Sequence, residues 1–138
     1  MKKIRIKGRS EFPGCVQAEA IVSRKPLEGF TNCNFVHGYT TERNHPLFKV
    51  CYTDKVLVYP YPRGSGGFVY YGLGAKPAAF VHTESCPLTV NCAMTGRIPS
   101  MTDFEMDPLD YIETGDIVLV NADEGYIEIT KRNQEVTI

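Results

Sequence analysis

Arg63, Gly64, Ser65, Gly66 and Gly67 follow one another directly after an apolar run, in the stretch VLVYPYPRGSGGFVYYGLG from Val56 to Gly74. A serine hydroxyl is a poor base until its alkoxide is stabilised. Backbone N–H groups at the start of a helix, with a guanidinium nearby, are preorganised for that task. Gly66 and Gly67 would supply the N–H groups, and Arg63 stands two residues before Ser65. The same arrangement can hold a carboxylate or a phosphate. A plainer alternative stays open, in which Ser65 is a helix N-cap and the glycines relieve turn geometry. The stretch is not a P-loop, because the lysine and spacing of GxxxxGK[ST] are absent. Nor is it a nucleophile elbow, since only the G-S-G core is present without the GxSxG spacing.

Other reactive residue types are scattered. His37, His45 and His82 stand in no HxH or HxxxH relation and read as surface or packing histidines. The five cysteines (Cys15, Cys33, Cys51, Cys86 and Cys92) form no CxxC pair. An odd number without a leader argues against a disulfide framework. They read as small core or surface thiols, and no metal site is assigned to the chain, although one thiol could face a metal held by a partner. The acidic run DFEMDPLD reads as a solvated face.

The elements that must position the R-G-S turn follow from periodicity. KKIRIKG (Lys2–Gly8) and CVQAEAIVS (Cys15–Ser23) read as strands, with a Pro-Gly turn signal in the RSEFPG between them. From Arg24 to Asp54 the chain is polar and aperiodic, a length that in a compact domain often marks function. KVLVYPY (Lys55–Tyr61) is apolar on both faces, as a buried parallel strand would be. GGFVYYGLGA then reads as a short helix opening at Ser65, and PAAFVHT (Pro77–Thr83) as a second buried strand. The resulting βαβ unit puts the glycine-rich turn at the carboxyl end of its first strand, where open α/β sheets place ligands. Cys86–Gly96 reads as a helix with Pro87 in its first turn and Gly96 as its stop. RIPSM is a short connection or strand, and DPLDYIETGD a helical turn ending in a Thr-Gly-Asp turn. DIVLVNADEGYIEITK is a hairpin. The class is α/β, a mixed sheet with an antiparallel layer contributed by both chain ends.

The 138 residues suit one domain spanning 1–138, with enough apolar content (43%) for its own core. A net charge of −1 leaves no electrostatic footprint for nucleic acid or an anionic membrane. No apolar run approaches the roughly 20 residues of a membrane span. MKKIRIK lacks the apolar stretch of a signal peptide, so a cytoplasmic location is expected.

Taken in order, KGRSEFPGCVQAEAIVSRKPL, HPLF, KVLVYPYPRGSGG, AKPAAFVH and TGDIVLVNADEGYIEI resemble the swivelling-domain small subunit of the aconitase X family, over nearly the whole chain. The resemblance implies a swivelling β/β/α domain of the aconitase small-domain type. It implies a hydro-lyase that dehydrates a small hydroxy acid, of the cis-3-hydroxy-L-proline or phosphomevalonate class. In it, a large partner subunit carries an iron–sulfur cluster, this chain alone binds none, and the chain is inactive without that partner. Carried over, Ser65 is the base, and Arg63, Gly64 and Gly66 shape the turn and bind substrate. The turn here is RGSGG where the family has a serine-rich RGSSSGS, and GFTNCNFVHG stands where a Gly-Gly-Val-Asp stretch is usual. The alternative reading is a non-catalytic binding or assembly module that keeps the swivelling fold.

Overall fold

The computed structural model describes residues 3–28, 33–63 and 66–132. Twelve strands run in chain order: β1 Lys3–Lys7, β2 Arg9–Phe12, β3 Cys15–Val22, β4 Leu27–Glu28, β5 Cys33–Asn34, β6 Tyr39–Thr40, β7 Val56–Tyr59, β8 Pro62–Arg63, β9 Ala79–His82, β10 Ser100–Thr102, β11 Ile117–Asn121 and β12 Tyr126–Thr130. Among the described residues these strands are joined by one α-helix, α1 (Pro87–Gly96), and by 3-10 helices at Gly66–Gly72 and Pro108–Asp110.

Eight strands form one sheet in the order β1-β12-β11-β3-β7-β9-β10-β2. Its two edge strands, β1 and β2, are consecutive in the chain and separated only by Gly8, so the sheet curls back on itself there. A Cβ on Gly8 would lie 2.5 Å from the Phe104 ring, so this corner needs glycine. The segment expected to turn after β1 therefore carries a strand, β2, paired antiparallel with β10; the Pro13-Gly14 turn follows it. The reason is tertiary, since β10 offers an open edge that Arg9–Phe12 fills.

The parallel half is β3, β7, β9 and β10, with Val58 beside Val22 and Val81. The antiparallel half is β1, β12, β11 and β3. The two halves meet at β3. RIPSM thus contributes a strand rather than only a connection. Inside the curl pack Ile6, Val56, Val58, Val81, Met101, Val118, Val120, Ile127 and Ile129. On the outer face of the parallel strands, Ile21, Leu57, Tyr59 and Phe80 pack under Phe68, Tyr71, Cys92, Ala93 and Ile98. All four residues of β7 and all four of β9 are buried, as the two-faced apolar runs require.

Helix α1 starts at Pro87, where the missing N–H is no loss. Its stop differs from expectation. Arg97, not Gly96, takes the left-handed conformation, with φ of 54°. Gly96 serves a different need: a Cβ there would lie 2.6 Å from the Gly72 carbonyl oxygen. α1 and the 3-10 helix Gly66–Gly72 touch backbone to backbone at this pair.

Candidate functional site

Strands β3, β7 and β9 point the same way, and their carboxyl ends gather at one edge of the outer layer. There the Ser23 N–H donates to the Val58 carbonyl (2.8 Å). The Pro60 carbonyl, just beyond β7, accepts from the backbone N–H groups of Thr83 and Glu84 (3.1 Å each) and from the Thr83 hydroxyl (2.9 Å). The exit of β7 is therefore fixed, and the chain passes into β8, which lies parallel to β4 with Arg63 beside Glu28.

Arg63 is gripped from the segment that looked aperiodic. Its Nη2 donates to Glu42 Oε2 at 2.6 Å, and its Nη1 lies 4.0 Å from Glu28 Oε2. The other Glu42 oxygen, Oε1, is buried and has no hydrogen-bond partner among the described residues. Glu42 in turn sits on a fastened stretch. The buried His45 accepts from the Leu47 N–H at Nδ1 (3.1 Å), so Nε2 carries the proton and faces the Pro26 carbonyl at 3.0 Å. The Thr40 hydroxyl also donates to the Leu47 carbonyl.

Beyond residues 64–65 the chain re-enters as the 3-10 helix Gly66–Gly72. In a 3-10 helix side chains three apart eclipse. Phe68 and Tyr71 use that period to enter the core together, with ring centroids 5.0 Å apart. Phe68 also meets Tyr59 at 5.7 Å, and the Tyr71 hydroxyl donates to the Glu28 carbonyl at 3.3 Å. The R-G-S-G-G stretch is thus bracketed by Arg63, held by Glu42, and by Phe68, held in the aromatic layer.

Beside Tyr59 lies a polar group whose His82 and Glu11 side chains are buried. His82 Nε2 meets Glu11 Oε1 at 2.7 Å, and Nδ1 donates to the Glu84 carbonyl at 2.9 Å. Ser100 and Ser85 donate to the two Glu11 oxygens at 3.0 and 2.8 Å. Burial alone pushes the Glu11 carboxyl up, but the hydrogen bonds from His82, Ser85 and Ser100 outweigh it. They hold it below the usual carboxylate range.

The family model described as the aconitase X swivel domain matches residues 5–129. The chain belongs to the aconitase X swivel-domain family. With that membership it joins a group of dehydratase subunits. It is 36% identical over 97% of its length to the phosphomevalonate dehydratase small subunit of Methanosarcina mazei, covering 96% of that protein. Identity to the Methanosarcina acetivorans protein of the same name is 35%, over 95% of this chain and 94% of that one. Among solved structures it is similar to the Thermococcus kodakaraensis aconitase X holo-form, with TM-score 0.84 and 26% identity, covering 93% of this chain and 99% of that one. The swivelling β/β/α fold, expected from the resemblance, is thereby shown.

Within this swivel domain, Arg63 stands at the carboxyl ends of the parallel strands and Gly66 opens the 3-10 helix. Gly64 and Ser65 lie outside the described residues. Burial pushes the Cys92 thiol up to about 12 and the Cys33 thiol up to about 11. Among the described residues no three His, Cys, Asp or Glu side chains gather to hold a metal ion. Among the described residues, no helix is long and apolar enough to cross a membrane.

Sequence spacing gave no sign of Glu42 and Glu28 as partners of Arg63, because they come from a segment without periodicity. One signal for the buried network was present. PAAFVHT is apolar on both faces except for His82, so that histidine needed a buried partner. Nothing in the spacing pointed to Glu11.

Proposed function

We propose that this chain, a single swivelling domain over 1–138, is the cytoplasmic small subunit of a heteromeric phosphomevalonate dehydratase. Its partner is a large subunit bearing an iron–sulfur cluster. The observation that carries the reading is the end-to-end similarity to small subunits of that name, at 36% identity over 97% of the chain. Arg63, which stands at the carboxyl ends of the parallel strands and opens the R-G-S sequence, supports it.

In this reading Ser65 removes the proton from the carbon next to the substrate carboxylate. The electron pair of that C–H bond becomes the new C=C bond and expels the hydroxyl of the neighbouring carbon. Proton and hydroxyl together are the water released. Gly64 and Gly66 let the backbone approach the substrate closely. Arg63 keeps guanidinium N–H donors beyond the one used on Glu42 and directs them at the substrate anion. Arg63 contributes direction, and the large subunit supplies further positive charge for a phosphorylated acid.

The test is reconstitution with the large subunit encoded by the same organism, assayed with phosphomevalonate and with cis-3-hydroxy-L-proline. Turnover of phosphomevalonate by the complex, and by neither subunit alone, is expected. Preference for cis-3-hydroxy-L-proline would replace the substrate, and a complex without dehydratase activity would favour the assembly-module reading.

A further inference from the structure

We propose that Glu11 is a positioning residue for Arg63. Through His82 it fixes the rim that the exit of β7 forms with the loop after β9, and so fixes where the guanidinium meets the substrate anion. The inference rests on the dehydratase reading above, which places Arg63 on that anion.

Glu11 reaches the interior through an irregularity in the sheet. Between β2 and β10, Phe12 pairs with Ser100 and Ser10 with Met101, so Glu11 is the extra residue of a β-bulge. A bulge re-aims a side chain that regular alternation would place elsewhere. The Glu11 carboxylate is thereby buried against the end of β9, where His82 and Ser100 meet one oxygen and Ser85 the other. A buried pair of this kind gains little stability over apolar residues of similar size. What it does is hold backbone.

Two of the bonds end on the loop after β9. Ser85 gives its hydroxyl to Glu11, and the Glu84 carbonyl accepts from His82 Nδ1 at 2.9 Å. That loop in turn holds β7, since the Thr83 and Glu84 N–H groups and the Thr83 hydroxyl all donate to the Pro60 carbonyl. Pro60 stands three residues before Arg63, and the residue directly before Arg63 is proline again. Proline locks its φ, so a displacement at residue 60 meets few soft torsions before it reaches residue 63. The Leu27 N–H on the Tyr61 carbonyl (3.3 Å) and the pairing of Leu27 with Pro62 keep this short path in register with β4. Arg63 itself is half-exposed, so its head is carried to the surface from a fixed base.

The experiment uses the full chain assembled with its large subunit and carrying Glu11→Gln. An amide offers one acceptor oxygen where the carboxylate offers two, so His82 or Ser85 loses its partner. Poorer placement of Arg63 weakens substrate binding, and KM for phosphomevalonate is expected to rise about fivefold or more with kcat changed less than about twofold. A loss of stability alone lowers the amount of working complex and leaves KM where it was. In an Arg63→Ala background, Glu11→Gln is expected to change KM by less than about twofold, because residues that act through one another are not additive. Independently of activity, amide hydrogen exchange at Thr83 and Glu84 in the complex should quicken in Glu11→Gln. Ser85→Ala removes one bond to Glu11 at an exposed position and should shift KM and exchange the same way by less. If Glu11→Gln does not assemble, Ser85→Ala carries the test, and an unchanged KM there overturns the proposal. An unchanged KM in Glu11→Gln, an equal rise with and without Arg63, or unchanged exchange at Thr83 and Glu84 also overturns it. If the wild-type complex proves not to be a dehydratase, the reading above fails by itself, and the exchange measurement still decides whether Glu11 holds the rim.

Discussion

His82 Nε2 lies 2.7 Å from Glu11 Oε1, between side chains 0% and 1% exposed that stand 71 residues apart in the sequence. The pair joins β9 to β2, the strand that closes the curl of the sheet, and Ser85 and Ser100 complete the carboxylate's hydrogen bonds. A buried pair gains little over an apolar replacement, yet removing one member strands the other. His82→Ala or Glu11→Ala is expected to cost about 3–5 kcal/mol of stability in denaturant titrations. A loss under about 1 kcal/mol for either would show that the network is not closed as described.

The same carboxylate makes stability depend on pH, together with Asp116. Burial pushes Asp116 up, but the Arg132 and Glu113 backbone N–H groups (2.9 and 2.8 Å) and Lys131 Nζ (2.6 Å) hold it below its ordinary value. Both groups bind protons more weakly folded than unfolded. Their stabilisation is therefore complete above the ordinary carboxylate range near pH ~4 and is lost as pH falls through the lower folded values. Thermal melts should show a falling midpoint from about pH 5 downward. Glu11→Gln and Asp116→Asn should each flatten that slope while lowering stability at neutral pH. A midpoint that rises on acidification would contradict the assignment.

Gly96 and Arg97 exchange the roles that helix-stop rules assign. Gly96→Ala forces a Cβ against the Gly72 carbonyl oxygen, so a loss of about 1–3 kcal/mol is expected from overpacking. Arg97→Gly relieves a left-handed residue of roughly 1 kcal/mol of strain and should leave stability unchanged or raised. Equal losses for the two variants in urea titrations would show that Gly96 acts only as a helix stop.

These roles show where sequence reading reached and where it stopped. The β7 and β9 runs were legible because burial on both faces leaves no polar alternation, and the β11–β12 hairpin because its strands alternate around a turn. The Arg9–Phe12 strand was not legible. It is four residues long and exists because β10 offers an edge. The R-G-S stretch stood out by residue type, but Glu42 did not, since its meaning comes only from the fold that brings residue 42 against residue 63. Glu11 was hidden for the same reason, although a lone histidine in the apolar β9 required some partner.

In the reading proposed above, Ser65 works as the base of a dehydratase completed by the large subunit. Steady-state turnover of phosphomevalonate by the reconstituted complex carrying Ser65→Gly tests it most directly. Glycine replaces a capping serine at a cost of only a few tenths of a kcal/mol, so a mere cap predicts near-normal turnover. Loss of a base predicts an assembled complex with kcat lowered by about 100-fold or more. A base at Ser65 entails that loss with unchanged assembly; a Ser65→Gly complex turning over at close to the wild-type rate would rule the base out.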